Sequence, residues 1–115
     1  MSHRAIEAIG QTRARGGRVV CVGTTSARVV ETYAAREERG EAYEEWVETR
    51  ILITPGYRWR WVDGLLTNFH LPRSTLMAMV AALLEGGVER LKGVYAEAIS
   101  QEYRFYSYGD AMLVV

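Results

Sequence analysis

Arg18 leads into Val19-Val20-Cys21-Val22-Gly23, a continuous apolar run closed by a glycine. That pattern belongs to a strand covered on both faces, because a strand with one wet face would alternate apolar and polar residues. The run stops at Thr24-Thr25-Ser26, three side chains suited to capping a helix. Past them Val29, Val30, Tyr33 and Ala34 recur at helical spacing over Ala27 to Arg39. A buried strand, a polar turn and a helix in succession restrict the chain to architectures in which strands and helices alternate.

The rest of the chain agrees. Ile6 to Arg15 reads as a short helix ended by Gly16-Gly17. Gly40 to Glu45 is charged and without an apolar stripe, hence a solvated loop. Trp46 to Ile53 is expected as a strand, followed by a turn at Pro55-Gly56. Arg58-Trp59-Arg60-Trp61 alternates basic and aromatic residues, which on a strand separates arginines from tryptophans. Asp63-Gly64 is a hairpin-type turn signal, and Leu65 to Phe69 is the next strand candidate. Ser74 or Thr75 can cap a mostly apolar helix over Leu76 to Glu85, closed by Gly86-Gly87. A second helix, Val88 to about Glu102, carries Leu91, Val94, Tyr95, Ala98 and Ile99 on one face, and Ala111 to Val115 ends the chain as a strand. The expected fold is α/β, a partly parallel mixed sheet flanked by helices in a single domain of 115 residues. The final strand is apolar to its last residue and the first helix has little apolar face. Both suggest an incomplete part of a larger α/β domain.

Charge narrows the functional classes. Fourteen Lys and Arg balance fourteen Asp and Glu, which argues against a polybasic binder working through bulk charge. Thirteen of the fourteen cations are arginine, so a local site for carboxylate or phosphate stays open. The single cysteine, Cys21, excludes an intramolecular disulfide and a cysteine-built zinc site. With no apolar run of membrane-span length and no signal-peptide pattern, a soluble, cytoplasmic protein without membrane contact is expected.

Three segments could carry chemistry. Thr24-Thr25-Ser26 stands where a strand passes into a helix, so exposed N–H groups, hydroxyls and the helix dipole can hold an anion, with Arg28 one turn in. Ordinary N-capping is the alternative. No phosphate-binding or dinucleotide glycine motif is present. Thr67-Asn68-Phe69-His70-Leu71-Pro72 is a second such junction, where Asn68 and His70 can bind a polar ligand or move a proton. A solvated or backbone-bonded His70 is the alternative there. Tyr103 to Asp110 is dense in aromatics and ends in an acid. It can stack a base and hold a ribose hydroxyl, or simply pack on the sheet.

Taken together and in this order, Val22-Gly23-Thr24-Thr25-Ser26-Ala27-Arg28, Thr67-Asn68-Phe69-His70-Leu71-Pro72-Arg73-Ser74-Thr75-Leu76 and Tyr103-Arg104-Phe105-Tyr106-Ser107-Tyr108-Gly109-Asp110-Ala111-Met112 resemble one family. They are similar to the carboxyl-terminal part of the S-adenosylmethionine:tRNA ribosyltransferase-isomerases of queuosine biosynthesis. Pro55-Gly56-Tyr57 and Val62-Asp63 also sit where that family has them, and the resemblance runs from about Arg13 to Val115. It implies transfer of the ribosyl unit of S-adenosylmethionine, a substrate, onto 7-aminomethyl-7-deazaguanine at the wobble position of tRNA. The product is epoxyqueuosine, adenine and methionine leave, and no metal takes part. On this reading His70 and Asp110 are the expected catalytic residues. Thr24, Thr25, Ser26, Arg28, Thr67, Asn68, Ser74, Thr75 and Tyr108 form the expected substrate-binding set. The family is much longer and has a β-barrel domain with no counterpart here. Val47 stands where a small residue is usual, and Ala27 replaces a more usual Val. The chain alone is therefore expected to be inactive and to self-associate as a homo-oligomer. Two other readings stay open: a tRNA or phosphate-ligand binding module without turnover, and a remnant that folds only by self-association.

Overall fold

The computed structural model describes residues 1–70, 74–106 and 109–115. In chain order it comprises α1 (His3–Ala14), β1 (Val20–Val22), α2 (Thr24–Glu38), β2 (Gly64–Asn68), α3 (Thr75–Leu83), α4 (Gly87–Ser100) and β3 (Ala111–Val114). The described strands form one mixed sheet in the order β1-β2-β3. β1 and β2 are parallel, with Cys21 opposite Leu65, and β2 and β3 are antiparallel, with Leu65 opposite Val114. This is the α/β architecture with partial parallel pairing that the alternation of elements dictates.

The core lies on one side of the sheet. Cys21, Leu65 and Val114 form a buried row across all three strands. Onto it α2 packs Ala27, Val30, Tyr33 and Ala34, which recur at helical spacing. α3 adds Met79, Val80 and Ala81, and α4 adds Leu91, Tyr95 and Ala98.

The opposite face corrects one expectation. Val20 and Val22 were expected to be covered on both sides of their strand, yet they are 44% and 68% exposed, with Leu113 at 58%. The register places Val22, Leu66 and Leu113 in one row and Val20 beside Gly64 in the next. A Cβ on Gly64 would lie 2.9 Å from the Val114 carbonyl oxygen and 3.3 Å from Val20 Cγ2 and Val115 Cγ1, so the glycine lets the β3 backbone and those valines close over the strand. No described element packs on this apolar face.

Gly40 to Glu45 is the exposed loop expected, but residues 46 to 63 depart further. Neither Trp46 to Ile53 nor Arg58 to Trp61 pairs in a ladder, although the turn at Pro55-Gly56 is present. Side chains of α2 hold this stretch instead: Arg28 donates to the Ile51 carbonyl, Thr32 bonds Thr49, and Tyr33 donates to the carbonyls of Glu44 and Glu45. The expected separation of faces survives without a strand, since Arg58 and Arg60 both pair with Glu38 while Trp61 is buried. Asp63-Gly64 makes no hairpin. The strand paired beside it is the parallel β1, and the Asp63 carboxylate accepts the Val19 N–H at 2.8 Å. α1 starts earlier than expected because Ser2 caps it, accepting from Ala5 N–H. Among the described residues no helix is long and apolar enough to cross a membrane.

Burial pushes the Cys21 thiol from its ordinary 9.0 up to about 11, and the nearby Glu31 carboxylate adds to the shift. At pH 8 the native protein should therefore resist a disulfide reagent and release one equivalent only on unfolding; prompt reaction of the native thiol would contradict the burial. The folded state holds this proton more tightly than the unfolded chain does. Cys21 thus contributes stability that is full below pH 9 and is lost as pH rises toward 11.

Candidate functional site

Parallel pairing brings the carboxyl ends of β1 and β2 to one edge of the sheet, and antiparallel β3 begins at that same edge. The three chain segments bound a cleft of about 370 Å³, lined by Val22 to Ser26 from one junction, Leu66 to Asn68 and His70 from the other, and Ala111. Open α/β sheets bind ligands at such edges.

The first wall differs from the expected capping arrangement. Gly23, not a hydroxyl residue, is the N-cap of α2, with φ of 89° and no side-chain cap. That backbone region suits glycine. It also allows the Gly23 N–H to donate to the Leu66 carbonyl at 2.8 Å, joining the two junctions. Thr24, Thr25 and Ser26 fall in the first helical turn, where N–H groups have no intrahelical acceptor. Amides and the positive end of the α2 dipole thus stand at the cleft.

The second wall is held from behind. Thr67, buried in β2, places Oγ1 2.8 Å from His70 Nε2. The His70 N–H donates to the Tyr95 hydroxyl at 2.7 Å. Tyr95 packs edge-on against Phe69 and Phe105, and the Phe69 carbonyl accepts the Tyr106 N–H. Partial burial lowers the His70 pKa below its ordinary value, which favours the neutral imidazole. A larger depression of about 580 Å³ between α4 and β3 sets Glu89, Arg90 and Glu97 among mainly apolar neighbours and includes neither Thr24 to Ser26 nor His70.

A sequence-family model described as "Queuosine biosynthesis protein" matches residues 1–114. The chain belongs to that family. A curated relative from Acidiphilium cryptum, named S-adenosylmethionine:tRNA ribosyltransferase-isomerase, is 57% identical over 92% of this chain and 30% of its own length. One of the same name from Pelotomaculum thermopropionicum is 51% identical over the whole chain and 33% of its length. The solved S-adenosylmethionine tRNA ribosyltransferase of Thermotoga maritima superposes with a TM-score of 0.81 at 39% identity, covering 97% of this chain and 38% of that one. The chain thus spans about a third of the length of the curated relatives.

Within this queuosine-family chain the motif residues divide. Thr24, Thr25, Ser26, Thr67, Asn68 and His70 share the cleft. Arg28 does not join them: its guanidinium is bound to the Ile51 carbonyl, and it lines a separate pocket of about 100 Å³ with Thr75. The Ser74 hydroxyl accepts the Met77 N–H as the cap of α3. Asp110, expected as catalytic, does not line the cleft although its neighbour Ala111 does: its Oδ2 accepts the Arg104 N–H and its own N–H donates to the Arg104 carbonyl. Tyr108, and the Leu71-Pro72-Arg73 part of the second motif, lie outside the described residues.

Two residues escaped the sequence reading. Tyr95 was visible only as a core position on its helix. Glu31 is fully buried and holds the segment behind the cleft helix, accepting from the backbone N–H groups of Arg60, Trp61 and Val62 and from the Tyr57 hydroxyl. Its signal was a charge placed four residues after Ala27 and three before Ala34, within the buried stripe of α2.

Proposed function

We propose that the cleft is part of the active site of an S-adenosylmethionine:tRNA ribosyltransferase-isomerase. That enzyme would move the ribosyl unit of S-adenosylmethionine onto 7-aminomethyl-7-deazaguanine in tRNA and isomerise it to epoxyqueuosine, in the cytoplasm and without a metal. The carrying observation is the convergence of Thr24-Thr25-Ser26 with Thr67, Asn68 and His70 in one cleft of a queuosine-family chain. Chemically, the α2 amino terminus suits an anionic group such as the methionine carboxylate or a phosphate. Asn68 and His70 suit hydrogen bonding or proton transfer to the leaving adenine, and Asp110, next in sequence to the cleft residue Ala111, would serve as an acid only on leaving its Arg104 contact. Arg28, Ser74 and Thr75 support the walls rather than the ligand. Residues 1–115 would form one domain that needs the further length of its relatives for turnover.

The test is a chimera in which this chain replaces the matching segment of the Acidiphilium cryptum relative. With S-adenosylmethionine and precursor-containing tRNA, the chimera should release adenine and form epoxyqueuosine, and the isolated chain should release none above background. Within the chimera, His70→Ala should lower turnover by roughly 100-fold or more, the scale of a lost proton-transfer group. A chimera that unfolds like its parent yet makes no epoxyqueuosine would refute the assignment.

A further inference from the structure

We infer that Thr67 is a positioning residue that fixes His70 as the neutral Nδ1–H tautomer, so that the imidazole meets its ligand as a hydrogen-bond donor. Thr67 is 6% exposed, and its hydroxyl carries one proton that needs an acceptor. Among the described residues the partner of Thr67 Oγ1 is His70 Nε2, at 2.8 Å. If Nε2 carried a proton it would donate to Oγ1 and leave the buried hydroxyl proton unpaired, which is the costlier arrangement. The hydroxyl therefore donates, Nε2 accepts, and the ring proton of the neutral imidazole resides on Nδ1.

The backbone reinforces this orientation. The Tyr95 hydroxyl accepts the His70 N–H at 2.7 Å, so residue 70 is anchored from α4 while its ring is anchored from β2. His70 lines the cleft, and with Nε2 taken by Thr67 the nitrogen left to meet a ligand is Nδ1, which has no hydrogen-bond partner among the described residues. A neutral N–H donor there selects an acceptor atom on the ligand: a carboxylate or carbonyl oxygen, or an unprotonated ring nitrogen of a purine. This rests on the cleft being the site proposed above, and within that reading it makes His70 a donor toward the departing base rather than the group that removes a ribose proton through Nε2.

The tautomer can be read directly by long-range proton–nitrogen correlation spectra of the ¹⁵N-labelled 115-residue chain at pH 7.5. The expected wild-type pattern has His70 Nδ1 protonated and Nε2 unprotonated. Thr67→Val, close in shape but without the hydroxyl, should lower the ratio of Nδ1–H to Nε2–H by roughly tenfold or more. Thr67→Ser should restore it. A wild-type ring protonated on Nε2 would overturn the inference, as would a folded Thr67→Val chain with an unchanged ratio. Should Thr67→Val fail to fold, the wild-type and Thr67→Ser spectra still decide. The measurement is independent of turnover: an inactive chimera with the expected tautomer would remove the proposed function and leave the positioning role standing.

Discussion

Replacing Glu31 with alanine should cost about 3–6 kcal/mol, a large share of the stability expected of a domain of this size. The carboxylate is fully buried on α2. Oε1 accepts from Trp61 and Val62 N–H at 2.8 and 2.9 Å, and Oε2 from Arg60 N–H and the Tyr57 hydroxyl at 3.0 and 2.9 Å. These donors compensate a buried charge that would otherwise be prohibitive. Truncation removes the acceptor and leaves three backbone N–H groups unpaired behind Trp61, together with a cavity. Glu31→Gln keeps the volume but turns one acceptor into a donor facing N–H groups, so it should cost less than alanine and still about 2 kcal/mol or more. Urea unfolding followed by circular dichroism measures both. A loss below about 1 kcal/mol for alanine would show that the segment from Tyr57 to Val62 is held by other means.

The second large effect concerns assembly. At micromolar concentration the isolated chain should sediment as a dimer or larger species, because its sheet presents Val20, Val22, Leu66 and Leu113 on a face that no described element covers. Contiguous aliphatic surface of this kind associates. Aspartates placed together at Val22 and Leu113, in the middle row, would have to be desolvated in any such contact. The double substitution should weaken self-association by about 100-fold or more, equivalent to about 2.7 kcal/mol. Both side chains point away from the core, so thermal stability should change little. Sedimentation of the unsubstituted chain as a monomer over a wide concentration range would reject the expectation.

Where local rules governed, the sequence was a sound guide. The helices follow from their stripes and caps, and β2 from the apolar run after Gly64. The cleft was legible for the same reason: two strand-to-helix junctions must share an edge if their strands are parallel. What escaped notice depended on partners far along the chain. Trp46 to Ile53 has the composition of a strand, but it pairs with neither edge strand of the described sheet and is held instead by the α2 side chains Arg28 and Thr32. The capping role passed from three hydroxyl residues to Gly23 because the turn into α2 requires a positive φ and a bond to Leu66. Arg28 looked like a ligand residue by its place in the motif. Its guanidinium instead meets the Ile51 carbonyl, and no local pattern in the sequence reports that contact. Glu31 was overlooked because a glutamate on a helix is ordinarily solvated; only its position inside the buried stripe distinguishes it.

The parallel pairing of β1 with β2 also has a kinetic consequence. Val20 must find Gly64 across the whole of α2 and the irregular stretch that follows it. Closing so long a loop loses chain entropy before any strand contact compensates it, so this pairing belongs to the late part of folding. The cleft exists only once that pairing and the β2–β3 hairpin-free antiparallel contact are both made. During refolding, ligand competence should therefore arrive together with the final compact structure, with α2 and α4 able to form earlier as helices that have nothing yet to bind.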